Sequence, residues 1–113
     1  MRYALLICQD ETVAIDAEER SSRFAAFIAF EEEMTARGVL LGGERLRPTT
    51  TATTVRLRAG EVVVVDGPFA ETKEQVGGIY FVECRDLDEA IEVASKIPSA
   101  NRDTIEVRPI WDR

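Results

Sequence analysis

Two amphipathic segments with marked helix ends divide this 113-residue chain and limit the folds it can adopt. The first helix is predicted over residues 16–37, because the acid at its first position is followed three residues later by Glu19, a capping-box pattern. Gly38 then supplies a left-handed stop. The second helix begins at Asp86, carries apolar residues at helical spacing and ends before Pro98. Any fold for this chain must therefore arrange its extended segments around two helices.

Six further segments alternate in side-chain character, or are apolar throughout, and are predicted to be strands: residues 2–8, 39–44, 53–58, 62–65, 78–84 and 104–107. Ala59 and Gly60 predict a two-residue turn that joins the third and fourth strands as a hairpin. Apart from this hairpin the order is βαββαβ, a ferredoxin-like arrangement with both helices on one face of an antiparallel sheet. The sequence thus predicts one α+β domain over residues 1–113, ferredoxin-like with an inserted β-hairpin.

The sheet face opposite the helices has no cover within this topology. Residues 2–8 and 78–84 nevertheless carry large apolar side chains on both sides. A second copy of the chain is the simplest cover, since a twofold axis lets the same patch bury itself. We therefore predict a homodimer with an interface of roughly 800 Å² per subunit.

Composition argues against several classes of partner. A net charge of −7 repels nucleic acid and anionic lipid. No apolar run approaches the roughly 20 residues of a membrane span, and the N-terminal apolar stretch is too short for a signal peptide. Histidine is absent, which removes the commonest metal ligand and the commonest general base. We expect no cofactor, no metal site, no direct contact with nucleic acid and no membrane association.

The two cysteines give a prediction about compartment and packing. Cys8 and Cys84 form no CxxC motif and no disulfide framework, which favours a cytoplasmic protein with reduced thiols. They end the first and third strands of the predicted four-stranded sheet. We therefore expect them to lie close together in an apolar layer, with low reactivity.

The segment between the hairpin and the fifth strand, DGPFAETKEQVGG, carries most of the chemistry. Asp66, Gly67 and Pro68 suit a turn, and Phe69 would then enter the core. Alternatively, Asp66 faces a cleft as a general base or hydrogen-bond acceptor. Lys73 is either paired locally on a solvated face or anchors a carboxylate or enolate.

Two glycine pairs fall on strands predicted to be neighbours. Residues 42–43 and 77–78 would open a patch without side chains beside Glu44 and Asp66. Close subunit packing and a ligand pocket explain this patch equally well. The candidate ligand-binding residues are Gly42, Gly43, Glu44, Asp66, Phe69, Glu71, Lys73, Gly77 and Gly78.

The whole chain resembles one known family. The segments RYALLI, GVLLGGERL, TATTVR, DGPFAETKEQ, DLDEA and IEVRPIW match the YCII-related family, in the branch marked by a DGPF motif. The resemblance implies a ferredoxin-like domain that pairs face to face as a dimeric α+β barrel. It also implies a link to sigma factors of the extracytoplasmic-function type. Other members are proposed to use a His-Asp pair, and one relative is a dehydrochlorinase; a chain without histidine does not inherit that chemistry.

Two functions follow from these observations. The first is a small-ligand-binding or regulatory module with a pocket at the sheet end. The alternative is a small cofactor-free enzyme that acts on a carbonyl or carboxylate compound, with Asp66 and Lys73 supplying acid/base catalysis and an anchor.

Overall fold

The computed structural model describes residues 1–112, which form an α+β fold with two sheets. The elements in chain order are β1 (Arg2–Gln9), α1 (Ala17–Ala36), β2 (Leu40–Arg45), β3 (Thr53–Arg58), β4 (Glu61–Asp66), β5 (Gln75–Glu83), α2 (Leu87–Ser95) and β6 (Thr104–Pro109). Four strands form a sheet in the order β2-β5-β1-β6, and β3 pairs only with β4 among the described strands. All recorded pairings are antiparallel. The predicted ferredoxin-like arrangement with an inserted hairpin is confirmed.

The hydrophobic core lies between one face of the four-stranded sheet and both helices. Leu5 on the central strand β1 stands opposite Tyr80 of β5 and Val107 of β6, so these side chains share a face. Met34 of α1 and Val93 of α2 are fully buried against this layer. Both helices therefore cover the same side of the sheet, as the apolar stripes indicated.

The helices begin where the sequence places their caps. The Asp16 carboxylate accepts a hydrogen bond from the Glu19 backbone N–H at 2.8 Å, and Asp86 accepts one from Glu89 at 2.9 Å. Gly38 follows α1 with φ of +72°, the left-handed conformation that ends many helices. Local chemistry alone fixes these boundaries, which is why they were predictable.

Removal of the α1 cap gives a first testable result. Asp16→Ala should lower the free energy of unfolding by about 1 kcal/mol, since the Glu19 N–H loses its acceptor at the helix start. The matched control is Glu18→Ala, which removes an acid from the same first turn without removing the cap and should cost a few tenths of a kcal/mol. Urea unfolding followed by circular dichroism measures both. Equal midpoints for the two variants would contradict this account of the cap.

The predicted proximity of the two cysteines is wrong. Cys8 pairs with Val76 and Thr104 at one end of the sheet, whereas the Cys84 N–H bonds to the Met1 carbonyl at the other end. The error was in strand direction: β5 runs antiparallel to β1, so residues that end the two strands lie far apart. Both cysteines are free thiols.

The rate of thiol labelling should rise at a higher pH in the folded protein than in an unfolded cysteine peptide. Burial raises the pKa of the Cys84 thiol, and burial together with the charge of Glu106 raises that of Cys8. Because the reactive thiolate is scarcer at any given pH, the alkylation rate of each should rise at higher pH than for an unfolded cysteine peptide. Half-buried Cys8 should react before Cys84, which is 2% exposed. Iodoacetamide labelling with mass spectrometry tests this, and rapid labelling of both residues at pH 7 in the native protein would contradict it.

The β3–β4 hairpin stands apart from the core. Its turn residues Ala59 and Gly60 both have positive φ, as a two-residue turn of type I′ requires. One face of the hairpin consists of apolar side chains that are each between 60% and 67% exposed: Val55, Leu57, Val62 and Val64. A two-stranded hairpin with a bare apolar face is marginal in water. No other part of residues 1–112 pairs with this hairpin as a strand.

The chain is also more extended, and exposes more surface, than a compact domain of its length. The radius of gyration is 16.1 Å, against about 13 Å for a compact domain of this length. The accessible surface is 8159 Å², whereas a folded monomer of this mass exposes roughly 6,200 Å². The sheet face away from the helices adds to this excess, because Ala4, Leu6, Ile79 and Phe81 share it and no helix covers it.

Candidate functional site

A cavity of about 540 Å³ opens at one end of the four-stranded sheet. Its walls come from the N-terminal half of α1, the loop after β1, the last residues of β2, the first residues of β5 and the turn after α2. The volume suits a small organic molecule. A shallower depression beside it is lined by α1 residues alone and is a groove on the helix surface.

The glycine pairs permit close approach within the chain. A Cβ on Gly43 would lie 2.4 Å from Cδ1 of Tyr80, and one on Gly77 would lie 2.1 Å from Nε2 of Gln9. Gly43 stands opposite Tyr80, and Arg45 stands opposite Gly78, so the two pairs lie on neighbouring strands but two positions out of register. Three of the four glycines line the cavity, together with Glu44: Gly43, Gly77 and Gly78.

A buried phenol and a carboxylate meet on the cavity wall. The Tyr80 hydroxyl donates a hydrogen bond to Oε2 of Glu31 at 3.0 Å, and its ring packs against Phe30 with centroids 5.3 Å apart. Burial, and then the bond to Glu31, raises the pKa of Tyr80 well above its ordinary value. The phenol therefore stays protonated at neutral pH.

Two buried polar atoms at the cavity lack partners among residues 1–112. They are Oγ of Ser99, a residue only 1% exposed, and Nε of Arg23. The Ser99 carbonyl is satisfied, since it accepts from the backbone N–H groups of Arg102 at 2.9 Å and Asp103 at 2.7 Å. An unpaired buried polar group costs about 1–3 kcal/mol. Both residues line the cavity.

Five predicted site residues lie outside the cavity of the single chain. Asp66 ends β4 opposite Thr53 and is exposed, as are Glu71 and Lys73. The prediction that Phe69 enters the core is wrong, since its side chain is 80% exposed. The cause is the hairpin, which carries this segment away from the core. Gly42 does not line the cavity either. The ligand roles of these residues stay predictions.

Lys73 nevertheless lies near the cavity. Hydrogen bonds from Thr12 lower the pKa of Asp10, and the charge of Lys73 lowers it further. Asp10 itself lines the cavity. Glu74 holds the segment against β6 by accepting a bond from the Thr104 hydroxyl at 3.1 Å. The segment 67–74 is long because it crosses the end of the sheet between the hairpin and β5.

Residues 1–112 hold no group of three or more cysteine, aspartate or glutamate side chains placed to bind a metal ion. No helix in that part of the chain is long and apolar enough to span a membrane.

The sequence profile of the YCII-related domain matches residues 1–113. The chain belongs to this family. The YCII-related domain is also 44% identical over 114 residues to the uncharacterized protein R00369 of Rhizobium meliloti (strain 1021), covering 97% of this chain and 92% of that protein.

A solved structure shares the fold of this YCII-related domain. It is the 5-chloro-2-hydroxyhydroquinone dehydrochlorinase TftG from Burkholderia phenoliruptrix AC1100, in complex with 2,5-dihydroxybenzoquinone. The TM-score is 0.54 at 17% identity, and the match covers 99% of this chain and 94% of that one. At this identity the likeness supports the fold and no more.

The sequence reading missed the main walls of the cavity. Arg20, Arg23, Phe24 and Phe27 recur at offsets of 3, 4 and 7 along α1, which places cations and aromatic rings on one side of the helix. This combination of cations and aromatic rings on one side of α1 could have indicated a binding surface. Nothing in the sequence connects these residues to Ser99, because their shared cavity depends on how α2 and the turn that follows it pack.

Proposed function

We propose that this YCII-related domain binds a small ligand in the cavity at the sheet end and acts as a ligand-binding or regulatory module. The observation that carries the proposal is a pair of unpartnered buried atoms, Ser99 Oγ and Arg23 Nε, in two residues that line one cavity. Native proteins rarely leave such groups unpaired. A ligand that accepts hydrogen bonds would satisfy both.

A thermal-shift screen of small metabolites tests the proposal, with hits confirmed by isothermal titration calorimetry. Small cyclic compounds such as 2,5-dihydroxybenzoquinone, the ligand of the TftG complex, are suitable first probes. Hits should stabilise the protein in proportion to ligand concentration. The absence of any saturable hit would contradict the proposal.

Ser99→Ala makes the test specific to the cavity. The variant removes a buried hydroxyl without a partner, so the free protein should be as stable as the wild type or more so, while ligand affinity falls roughly 2- to 12-fold. Ser95→Ala is the control, because that hydroxyl bonds the Glu92 carbonyl at 2.6 Å on the exposed side of α2. Unchanged affinity in Ser99→Ala would place the ligand elsewhere.

The enzyme alternative is favoured by the bond between Tyr80 and Glu31. It puts a carboxylate base beside a protonated phenol in the cavity. The sequence-based alternative instead uses Asp66 and Lys73 for acid/base catalysis on a carbonyl or carboxylate compound. Turnover assays on every hit decide between them: product formation lost in Glu31→Gln supports the first pair, and loss in Asp66→Asn or Lys73→Ala supports the second.

We also propose that the protein is a homodimer that pairs as an α+β barrel. The support is the surface excess of roughly 2,000 Å², concentrated on the hairpin and on the uncovered sheet face. Ordinary stable interfaces bury about 800 Å² per partner, so this excess is ample. Phe69 and Trp111, which are both exposed, are further candidates for burial by the second copy.

Two broader assignments rest on the family resemblance. We propose that the chain belongs to the DGPF branch, through the motif at residues 66–69, and that it is linked to a sigma factor of the extracytoplasmic-function type. From the pattern of the two cysteines we also propose that it works in the cytoplasm. Affinity purification of the tagged full chain under native expression tests the link to a sigma factor. Recovery of no sigma factor would contradict it.

A further inference from the structure

Arginine is concentrated at the cavity. Four of the twelve arginines of this chain line it, from α1, the end of β2 and the turn after α2: Arg20, Arg23, Arg45 and Arg102. Neither lysine does. These four cations come from three separate elements, and five acids line the same cavity.

Most of the acids around the cavity already have partners. Asp10 accepts from the Thr12 hydroxyl at 2.6 Å and Glu11 from the Thr49 hydroxyl at 2.6 Å, while Glu31 accepts from Tyr80. Glu44 and Asp103 complete the acidic lining. Because these carboxylates already accept hydrogen bonds, they are less available to pair with the arginines.

The arginines themselves are mostly unengaged. Within residues 1–112, the side chains of Arg20, Arg45 and Arg102 take part in none of the ion pairs, and Arg23 bonds Glu19 through its Nη2 while its buried Nε has no acceptor. A guanidinium only donates hydrogen bonds. The Ser99 hydroxyl, in another lining residue, also has no partner within residues 1–112. The cavity lining therefore has unused donors that suit a ligand rich in acceptors.

The rest of the wall is apolar and aromatic. Phe24, Phe27 and Ile28 of α1 face the cavity beside the arginines, and Phe24 is 63% exposed in the empty chain. Aromatic rings next to guanidinium groups suit a flat ligand that carries a carboxylate. The rings pack against its flat body, and the planar guanidinium can donate two parallel hydrogen bonds to the carboxylate.

From this arrangement we infer that the cavity selects an organic anion, with a carboxylate or acidic hydroxyl held by the arginines and a flat apolar body against α1. The inference rests on the proposed ligand-binding function and names its ligand class. The anion lies between Arg23 and the turn that holds Ser99. Its negative charge is also attracted by three arginines at the rim of the cavity: Arg20, Arg45 and Arg102.

Matched pairs of probes test the charge requirement. Benzoate and benzamide have nearly the same shape and differ in charge, and benzylamine reverses the charge. Calorimetry on the full chain should show binding of benzoate, at least 10-fold weaker binding of benzamide and none of benzylamine. Benzoate affinity should also fall as salt rises.

Arginine variants locate the effect. Arg20→Gln and Arg45→Gln change exposed side chains and should leave folding intact, while each weakens benzoate binding. Arg23→Gln should weaken it most, by roughly 10- to 150-fold, because this guanidinium is the most buried of the four. Arg47→Gln is the control, since Arg47 is exposed two residues beyond Arg45 and does not line the cavity.

The outcomes separate the inference from the function on which it rests. Benzoate binding that depends on Arg20 and Arg45 but not on Arg47 supports the anion site. Saturable, Ser99-dependent binding of neutral or cationic compounds, indifferent to the arginine variants, overturns the anion inference and leaves the ligand-binding function standing. Failure of every compound, charged or neutral, to bind in a manner sensitive to Ser99 overturns both.

Discussion

Val64→Glu is expected to convert the protein from a homodimer into a monomer. Val64 lies on the exposed apolar face of the β3–β4 hairpin, opposite Val55. If a second copy covers this face, the substitution buries an unpaired charge in each half of a symmetric interface, at a cost of roughly 3–5 kcal/mol per charge. The dimer dissociation constant should rise more than a hundredfold.

Sedimentation equilibrium at micromolar concentration measures this effect. The wild type should give twice the chain mass of 12.6 kDa, and Val64→Glu should give the chain mass itself. The control is Ala25→Glu, which places the same new charge on an exposed position of α1 and should leave the dimer intact. A monomeric wild type, or a Val64→Glu protein that remains dimeric, would show that the hairpin is not the interface.

Gly43→Ala is expected to cause the second large effect. An added Cβ would lie 2.4 Å from the Tyr80 ring and 2.8 Å from the Ile79 carbonyl oxygen, and both neighbours are fixed by the sheet and the core. Overpacking of this kind costs about 1–3 kcal/mol and sometimes more. A shift in Tyr80 would also disturb its bond to Glu31, so ligand affinity should fall together with stability.

The adjacent glycine provides the control for this prediction. A Cβ on Gly42 meets no atom within 4 Å, so Gly42→Ala should change stability by less than about 0.5 kcal/mol. Thermal unfolding should separate the two variants by several degrees, since about 1 kcal/mol shifts the midpoint of a domain this size by roughly 4–8 °C. Coincident midpoints would mean that β2 and β5 accommodate a side chain that the structure has no room for.

The features predicted correctly from sequence are those set by local chemistry. Asp16 and Asp86 cap their helices, Ala59 and Gly60 form the hairpin turn, and the strand order follows from the arrangement of elements. The cap and turn signals depend on residues a few positions apart, whereas the strand order follows from the order of the elements along the chain.

One failure was avoidable, and the others involve geometry that no local pattern encodes. The expected contact between Cys8 and Cys84 took β1 and β5 as parallel neighbours, whereas the predicted antiparallel sheet already places the ends of these strands far apart. Phe69 was expected in the core, but the hairpin carries it outward. The cavity joins Arg23 of α1 to Ser99 after α2, 76 positions apart in the chain, and only the packed structure brings them together.

The central claim is that the cavity at the sheet end, and not the exposed segment after the hairpin, holds the ligand. The most direct measurement is a titration of the ¹⁵N-labelled protein with benzoate, or with the tightest hit of the screen, followed by backbone amide shifts. The account predicts saturating shifts at Gly43, Gly77, Gly78, Ser99 and Arg102, with the hairpin amides unmoved. Shifts confined to residues 66–74, with those cavity amides unchanged, would contradict it.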